Sequence, residues 1–206
     1  MKAAAVGFRP HSGWTSLVVV SVERGLPVVL LRERVHLVKT FNYDYRQPYH
    51  TAARVGLAEG RPFIAQVKNE AQQLARAALR RVQAKLAAAG YRLTHCGLLL
   101  GSGRVLPALE KILVAHPLIH TADGELFREA LTRASTRCGL QLLCTKDKSL
   151  VSEAAESFHA KEAALLRRVT EVGKTQGAPW AQDEKYATLI AWLALHPRVS
   201  RRARPA

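Results

Sequence analysis

Residues 6–21 read VGFRPHSGWTSLVVVS, and the rest of the chain is arranged around them. An apolar run from Ala3 to Phe8 stops at Arg9, Pro10, His11, Ser12 and Gly13, residue types that punctuate a chain. Thr15–Glu23 (TSLVVVSVE) is rich in β-branched residues and reads as a second strand, and after the turn at Arg24 and Gly25, Pro27–Val38 reads as a third. In that third run Val29, Leu31, Glu33, Val35 and Leu37 alternate with Leu30, Arg32, Arg34 and His36, giving one largely apolar face and one that is basic at its far end. Three strands with short joints predict an antiparallel meander.

Beyond the meander, residues 39–68 show no period and predict a long loop, of the kind that is functional or mobile in compact domains. From about Asn69, Leu74, Ala75, Ala78, Leu79, Val82 and Leu86 gather on one side of a helical wheel, and Arg76, Arg80, Arg81 and Lys85 occupy the other. Gly90 closes this helix. Leu93–Leu100 then reads as a central strand, followed by the glycine loop Gly101–Arg104 and a helix opened by Pro107. A short connection leads to a helix over 125–138, Leu140–Thr145 reads as a strand, Ser152–Val172 as one helix, and Asp183–Leu195 as the last. The order βββ, loop, αβααβαα predicts an α/β domain with a mixed five-stranded sheet flanked by helices, the later strands parallel to the first.

The segment Val6–Ser21 resembles the opening hairpin of the RuvC-like resolvases, in the ribonuclease H-like superfamily, where a strand, a D-x-G-type turn, a second glycine and a second strand follow one another. The element order resembles that fold over about the first 150 residues. The resemblance implies an aspartate on the first strand that binds catalytic Mg²⁺, a second carboxylate at the end of the fourth strand, and a third at the start of the last helix. Here those places hold Arg9, then Gly101 and Ser102, and only at the last an acid, Asp183 with Glu184. Two-metal chemistry needs several carboxylates around cations about 4 Å apart, so the resemblance implies a member that has lost the nuclease site or rebuilt it.

Charge points the same way. The 206 residues carry 31 Lys and Arg against 16 Asp and Glu, a formal +15, while 48% hydrophobic content is that of a folded chain. Such an excess favours an anionic partner, nucleic acid before a membrane or an acidic protein. It is uneven: residues 1–110 hold 16 basic and 6 acidic side chains, 111–160 hold 6 and 6, and 161–206 hold 9 and 4. Residues 1–196 are expected to form one domain and 197–206 a disordered basic tail. Cys96, Cys138 and Cys144 lack C-x-x-C spacing and read as reduced thiols; with no signal peptide and no run of roughly 20 apolar residues, a cytoplasmic, membrane-free protein is expected.

Candidate contacts to nucleic acid are Arg9 and His11 at the end of the first strand, Tyr43, Tyr45 and Arg46 in the loop, Arg76, Arg80, Arg81 and Lys85 on the basic helix face, and Arg104 in the glycine loop. Tyrosines offer stacking faces and cations take phosphates; no acid follows Glu70 until Glu110, which separates this helix from an ordinary solvated face. The segment HPLIHTADGELFRE (116–129) holds two histidines and three acids. There His120, Asp123 and Glu125 can be read as an acid/base or metal group, or Thr121 or Asp123 as a helix cap with acids in the first turn. Capping is the preferred reading, and no H-x-x-x-H or H-E-x-x-H pair is counted for a metal. The expected function is therefore binding of structured RNA, a ribosomal surface or DNA, without catalysis, cofactor or metal. The alternative is a metal-dependent nuclease or phosphoester hydrolase using Mg²⁺ at a rebuilt site that includes His120, Asp123, Glu125 and Asp183.

Overall fold

The structure, a computed structural model, describes residues 1–101 and 105–196. β1 (Lys2–His11), β2 (Trp14–Glu23) and β3 (Leu26–His36) form the antiparallel meander. β4 (Tyr91–Leu100) lies parallel to β1, and β5 (Gln141–Lys146) parallel to β4, so the five-stranded sheet has the order β3-β2-β1-β4-β5. The β2–β3 turn places Arg24 and Gly25 at φ 51° and 79°, the doubly left-handed pair whose twist matches a two-residue hairpin.

Strand alternation assigns each face of the sheet to a helical layer. Ala4, Val6 and Phe8 of β1, with Leu17, Val19 and Leu98, pack in one core with α3 (Leu57–Ala88) and α5 (His116–Arg137). Ala5, Val18, Val20 and Leu99 point the other way, into a core with α6 (Leu150–Phe158), α7 (Glu162–Val172) and α8 (Gln182–Ala194). Gly7 and Gly97 are register partners in β1 and β4. A Cβ on Gly7 would fall on the Ala187 carbonyl, and one on Gly97 would stand 2.5 Å from the Ile190 carbonyl oxygen. The two glycines let the backbone of α8 rest directly on the sheet, with α8 antiparallel to β1.

The expected loop over 39–68 is mostly helix instead: α1 (Tyr43–Arg46), α2 (Pro48–Val55) and the first turns of α3. Pro48 opens α2, and Gly56 at φ 91° separates α2 from α3. Gly60 and Pro62 lie inside α3, and a Cβ on Gly60 would sit 2.5 Å from that of Ala52. This glycine marks a close helix–helix approach. The helix expected over 152–172 is two, parted at His159 with φ 51°. α4 (Leu109–Leu113) is shorter than expected, and α5 begins at His116, nine residues before the expected start. Among the described residues no helix is long and apolar enough to cross a membrane. Arg104 and the tail 197–206 lie outside the described residues.

Candidate functional site

Because β1, β4 and β5 run parallel, their carboxyl ends gather at one edge: Arg9 and His11 from β1, Gly101 after β4, and Asp147 after β5. Arg9 and His11 follow Ala5 and Gly7 in the alternation, so both side chains enter the α8 layer. There α8 begins with Asp183 and Glu184, acids that the amino-terminal end of a helix dipole favours. The Glu184 side chain accepts the Ala181 N–H at 2.8 Å, steadying that first turn.

The result is a guanidinium held between two carboxylates. Arg9 donates through Nε to Asp147 at 3.1 Å and through a terminal nitrogen to Asp183. His11 Nε2 lies 3.0 Å from the same Asp183 oxygen, and the Arg9 guanidinium stands 5.2 Å from the centre of the Tyr186 ring. Arg9 is 17% exposed and Asp183 24%, so the pair is shielded from much of the screening that weakens surface ion pairs. Arg128 approaches from α5. Burial disfavours its charge, while the negative Glu125, 3.5 Å away, and Asp147 offset that cost.

Beside this cluster a row of rings and cations follows the ends of the meander strands. Cross-strand register puts His11 opposite Trp14 and Trp14 opposite His36. His11 stacks on Trp14 at 4.2 Å, and the Arg34 guanidinium lies 3.7 Å from the Trp14 ring centre. His36 stacks on Phe41 at 4.4 Å, and Arg46 lies 4.7 Å from the centre of the Phe41 ring. A cavity of about 170 Å³, lined by Ser16, Arg32, Glu33, Arg34, Pro179 and Glu184, opens alongside. Trp14, Arg34 and Phe41 were missed in the sequence; register alternation through the hairpin was the signal that could have joined them to His11.

The remaining expected contacts divide. Arg76, Arg80, Arg81 and Lys85 belong to α3, in the layer across the sheet from Arg9. Arg81 pairs with Glu33 at 2.5 Å, Arg76 is half-buried, and Arg80 and Lys85 are exposed. Tyr43 is exposed, whereas Tyr45 packs edge-on against Phe63 at 5.3 Å and belongs to the core rather than to a stacking surface. Trp180 donates to the Val169 carbonyl and Trp192 packs on Phe158.

Neither capping residue caps. With α5 starting at His116 and Pro117, Thr121 and Asp123 are interior, and the Thr121 hydroxyl bonds back to the Pro117 carbonyl. Asp123 is 2% exposed; its carboxylate accepts the Tyr49 N–H at 2.8 Å and lies 2.5 Å from His50 Nδ1. Burial raises its pKa to about 6 against the opposing pull of those two hydrogen bonds. His116 and His120 do stand as an H-x-x-x-H pair, contrary to the sequence reading, and both rings face His50 edge-on. His120 and Asp123 therefore gather with α2, on the α3/α5 side, whereas His11 and Asp183 gather with Arg9 on the α8 side. The set assigned to a rebuilt catalytic site does not meet in one cluster; Glu125 alone of the α5 members approaches the Arg9 edge, through Arg128.

An antiparallel meander continued by parallel β4 and β5, with α8 laid across the sheet, defines a ribonuclease H-like fold of the RuvC-like type. Two solved structures share it: Thermus thermophilus RuvC in complex with a Holliday junction substrate, at a TM-score of 0.58, and Thermus thermophilus RuvC, at 0.56. Each is 14% identical in sequence, over 98% of this chain and 99% of the other. At that identity the likeness is one of fold. No family model and no curated protein matches the chain.

Proposed function

We propose that this protein binds nucleic acid on a ribonuclease H-like fold without cutting it. The observation that carries the reading is Arg9: at the edge where the resemblance implies carboxylates converging on Mg²⁺, the carboxylates converge on a guanidinium. A fixed cation between Asp147 and Asp183 satisfies them electrostatically and repels a divalent ion that would compete for the same oxygens. The fit to catalytic Mg²⁺ is poor on the donor set: two acids already engaged by Arg9, with Gly101 where the fourth strand would supply another.

The binding surface is the edge formed by Trp14, Arg34, His36, Phe41 and Arg46, where guanidinium groups braced on rings take phosphates, and the exposed ring of Tyr43 offers a stacking face to an unpaired base. Exposed Arg80 and Lys85 on α3 add positive charge outside this edge. The complex of Thermus thermophilus RuvC with a Holliday junction supports nucleic acid as the partner class and makes a four-way DNA junction the first ligand to try. Fluorescence anisotropy with a labelled junction, duplex DNA and a structured RNA, each over a range of salt, tests the reading. Affinity for at least one of them should fall linearly on a log–log scale, with a slope of about −0.9 per duplex phosphate contacted. No affinity at low salt, or affinity indifferent to salt, would reject it.

A further inference from the structure

Away from the Arg9 edge, α2 and α5 bring three imidazoles together. His116 and His120 are four residues apart and so share one face of α5, with ring centres 4.4 Å apart. His50 of α2 packs edge-on against both, at 4.4 Å from His120 and 5.6 Å from His116. One side-chain nitrogen of each ring lies within 4.8 Å of one from each of the others.

The second observation is Asp123. It is almost wholly buried, and its carboxylate spans Tyr49 N–H and His50 Nδ1. A carboxylate on one ring nitrogen of a histidine fixes the ring and leaves Nε2 with its lone pair outward, the outer-shell arrangement that orients imidazole ligands on metals. The buried negative charge also offsets the repulsion that the amino-terminal end of α5 exerts on a cation.

We propose that His50, His116 and His120 form a three-histidine site for a divalent transition ion of the zinc class, with His50 oriented by Asp123. Three neutral nitrogen ligands suit zinc and exclude Mg²⁺ and Ca²⁺, which require oxygen. Bonds of about 2.0–2.1 Å set tetrahedral ligand nitrogens roughly 3.3 Å apart. His50 is held in place, and the exposed His116 and His120 close the gap by side-chain rotation. The bound ion ties α2 to α5 and keeps a fourth position for water or an anionic oxygen. This site is separate from the Arg9 edge and stands whether or not the chain binds nucleic acid.

The full-length chain, made without a histidine tag and stripped with chelator, is titrated with Zn²⁺ against a chromophoric competitor, and with Co²⁺ for its visible spectrum. The site predicts one equivalent of Zn²⁺ per chain and Co²⁺ bands of tetrahedral intensity without a thiolate charge-transfer band. His116→Ala and His120→Ala, both surface changes, should abolish stoichiometric binding, and Asp123→Asn should weaken it by about 10–100-fold. If His50→Ala fails to fold, the two surface variants decide alone. Absence of stoichiometric uptake overturns the proposal, as does uptake that survives His120→Ala or is lost in Cys144→Ser.

Discussion

Arg9 reports at the scale of one side chain what the positive balance of the whole chain reports in bulk. Its fork geometry lets one cation serve two carboxylates at once, which a lysine cannot do as a single point of charge. One guanidinium thus occupies the space between Asp147 and Asp183 and engages both. Arg9→Asp reverses the situation by removing that cation and adding a carboxylate beside Asp147 and Asp183. The variant should unfold at a lower temperature than the native chain in chelator, by several degrees for about 2 kcal/mol or more lost with the shielded pair. Millimolar Mg²⁺, which a three-histidine site does not hold, should restore part of the loss in the variant and leave the native chain unchanged. Differential scanning calorimetry of both proteins reads this, and a native chain stabilised as much as the variant would argue against the guanidinium as occupant. The position was legible in sequence because the hairpin around it was. The partner Asp147 was not, since it follows β5 in sequence by no motif and meets Arg9 only when parallel strands align their carboxyl ends.

At the scale of elements the sheet was readable and the helical layers less so. β-branched runs with glycine turns specify strands through local chemistry, and the meander and the parallel β4 and β5 follow from it. The α2–α3 region misled because its glycines carry tertiary information: Gly60 permits contact with Ala52, and a residue chosen for close approach looks in sequence like one chosen to break a helix. The same ambiguity displaces the start of α5: the residues before 125 read in sequence as a connection and Asp123 as a cap, whereas Asp123 is a buried anchor inside the helix. Gly7 and Gly97 are the sharpest instance of this tertiary use. Their missing side chains are filled by the backbone of α8, the element that delivers Asp183 to Arg9. Gly7→Ala should force α8 off the sheet and cost about 3 kcal/mol or more, at or beyond the upper end of overpacking changes. Gly25→Ala, at a turn where a Cβ meets nothing within 4 Å, should cost less despite its φ of 79°. Urea unfolding of the two variants compares them; equal losses would mean that α8 does not depend on the glycine pair.

Over the whole molecule, the formal +15 resolves into separate regions. Asp147 and Asp183 are paired with Arg9, the aromatic and basic edge beside them points outward, and the cations of α3 occupy the opposite layer. Such a distribution suits a protein that grips an anionic backbone along one edge of its sheet while its strongest internal charge pair stays closed. The zinc-class site between α2 and α5 lies outside this edge and adds rigidity there rather than reactivity at the sheet. The most direct measurement is a single incubation: excess protein with a labelled four-way DNA junction, and in parallel a structured RNA, in Mg²⁺ and then Mn²⁺, resolved on native and denaturing gels. A shifted complex on the native gel and full-length strands on the denaturing gel are expected in both metals. Strands cut in a metal-dependent manner, and spared when Asp183→Asn replaces the native chain, would contradict it.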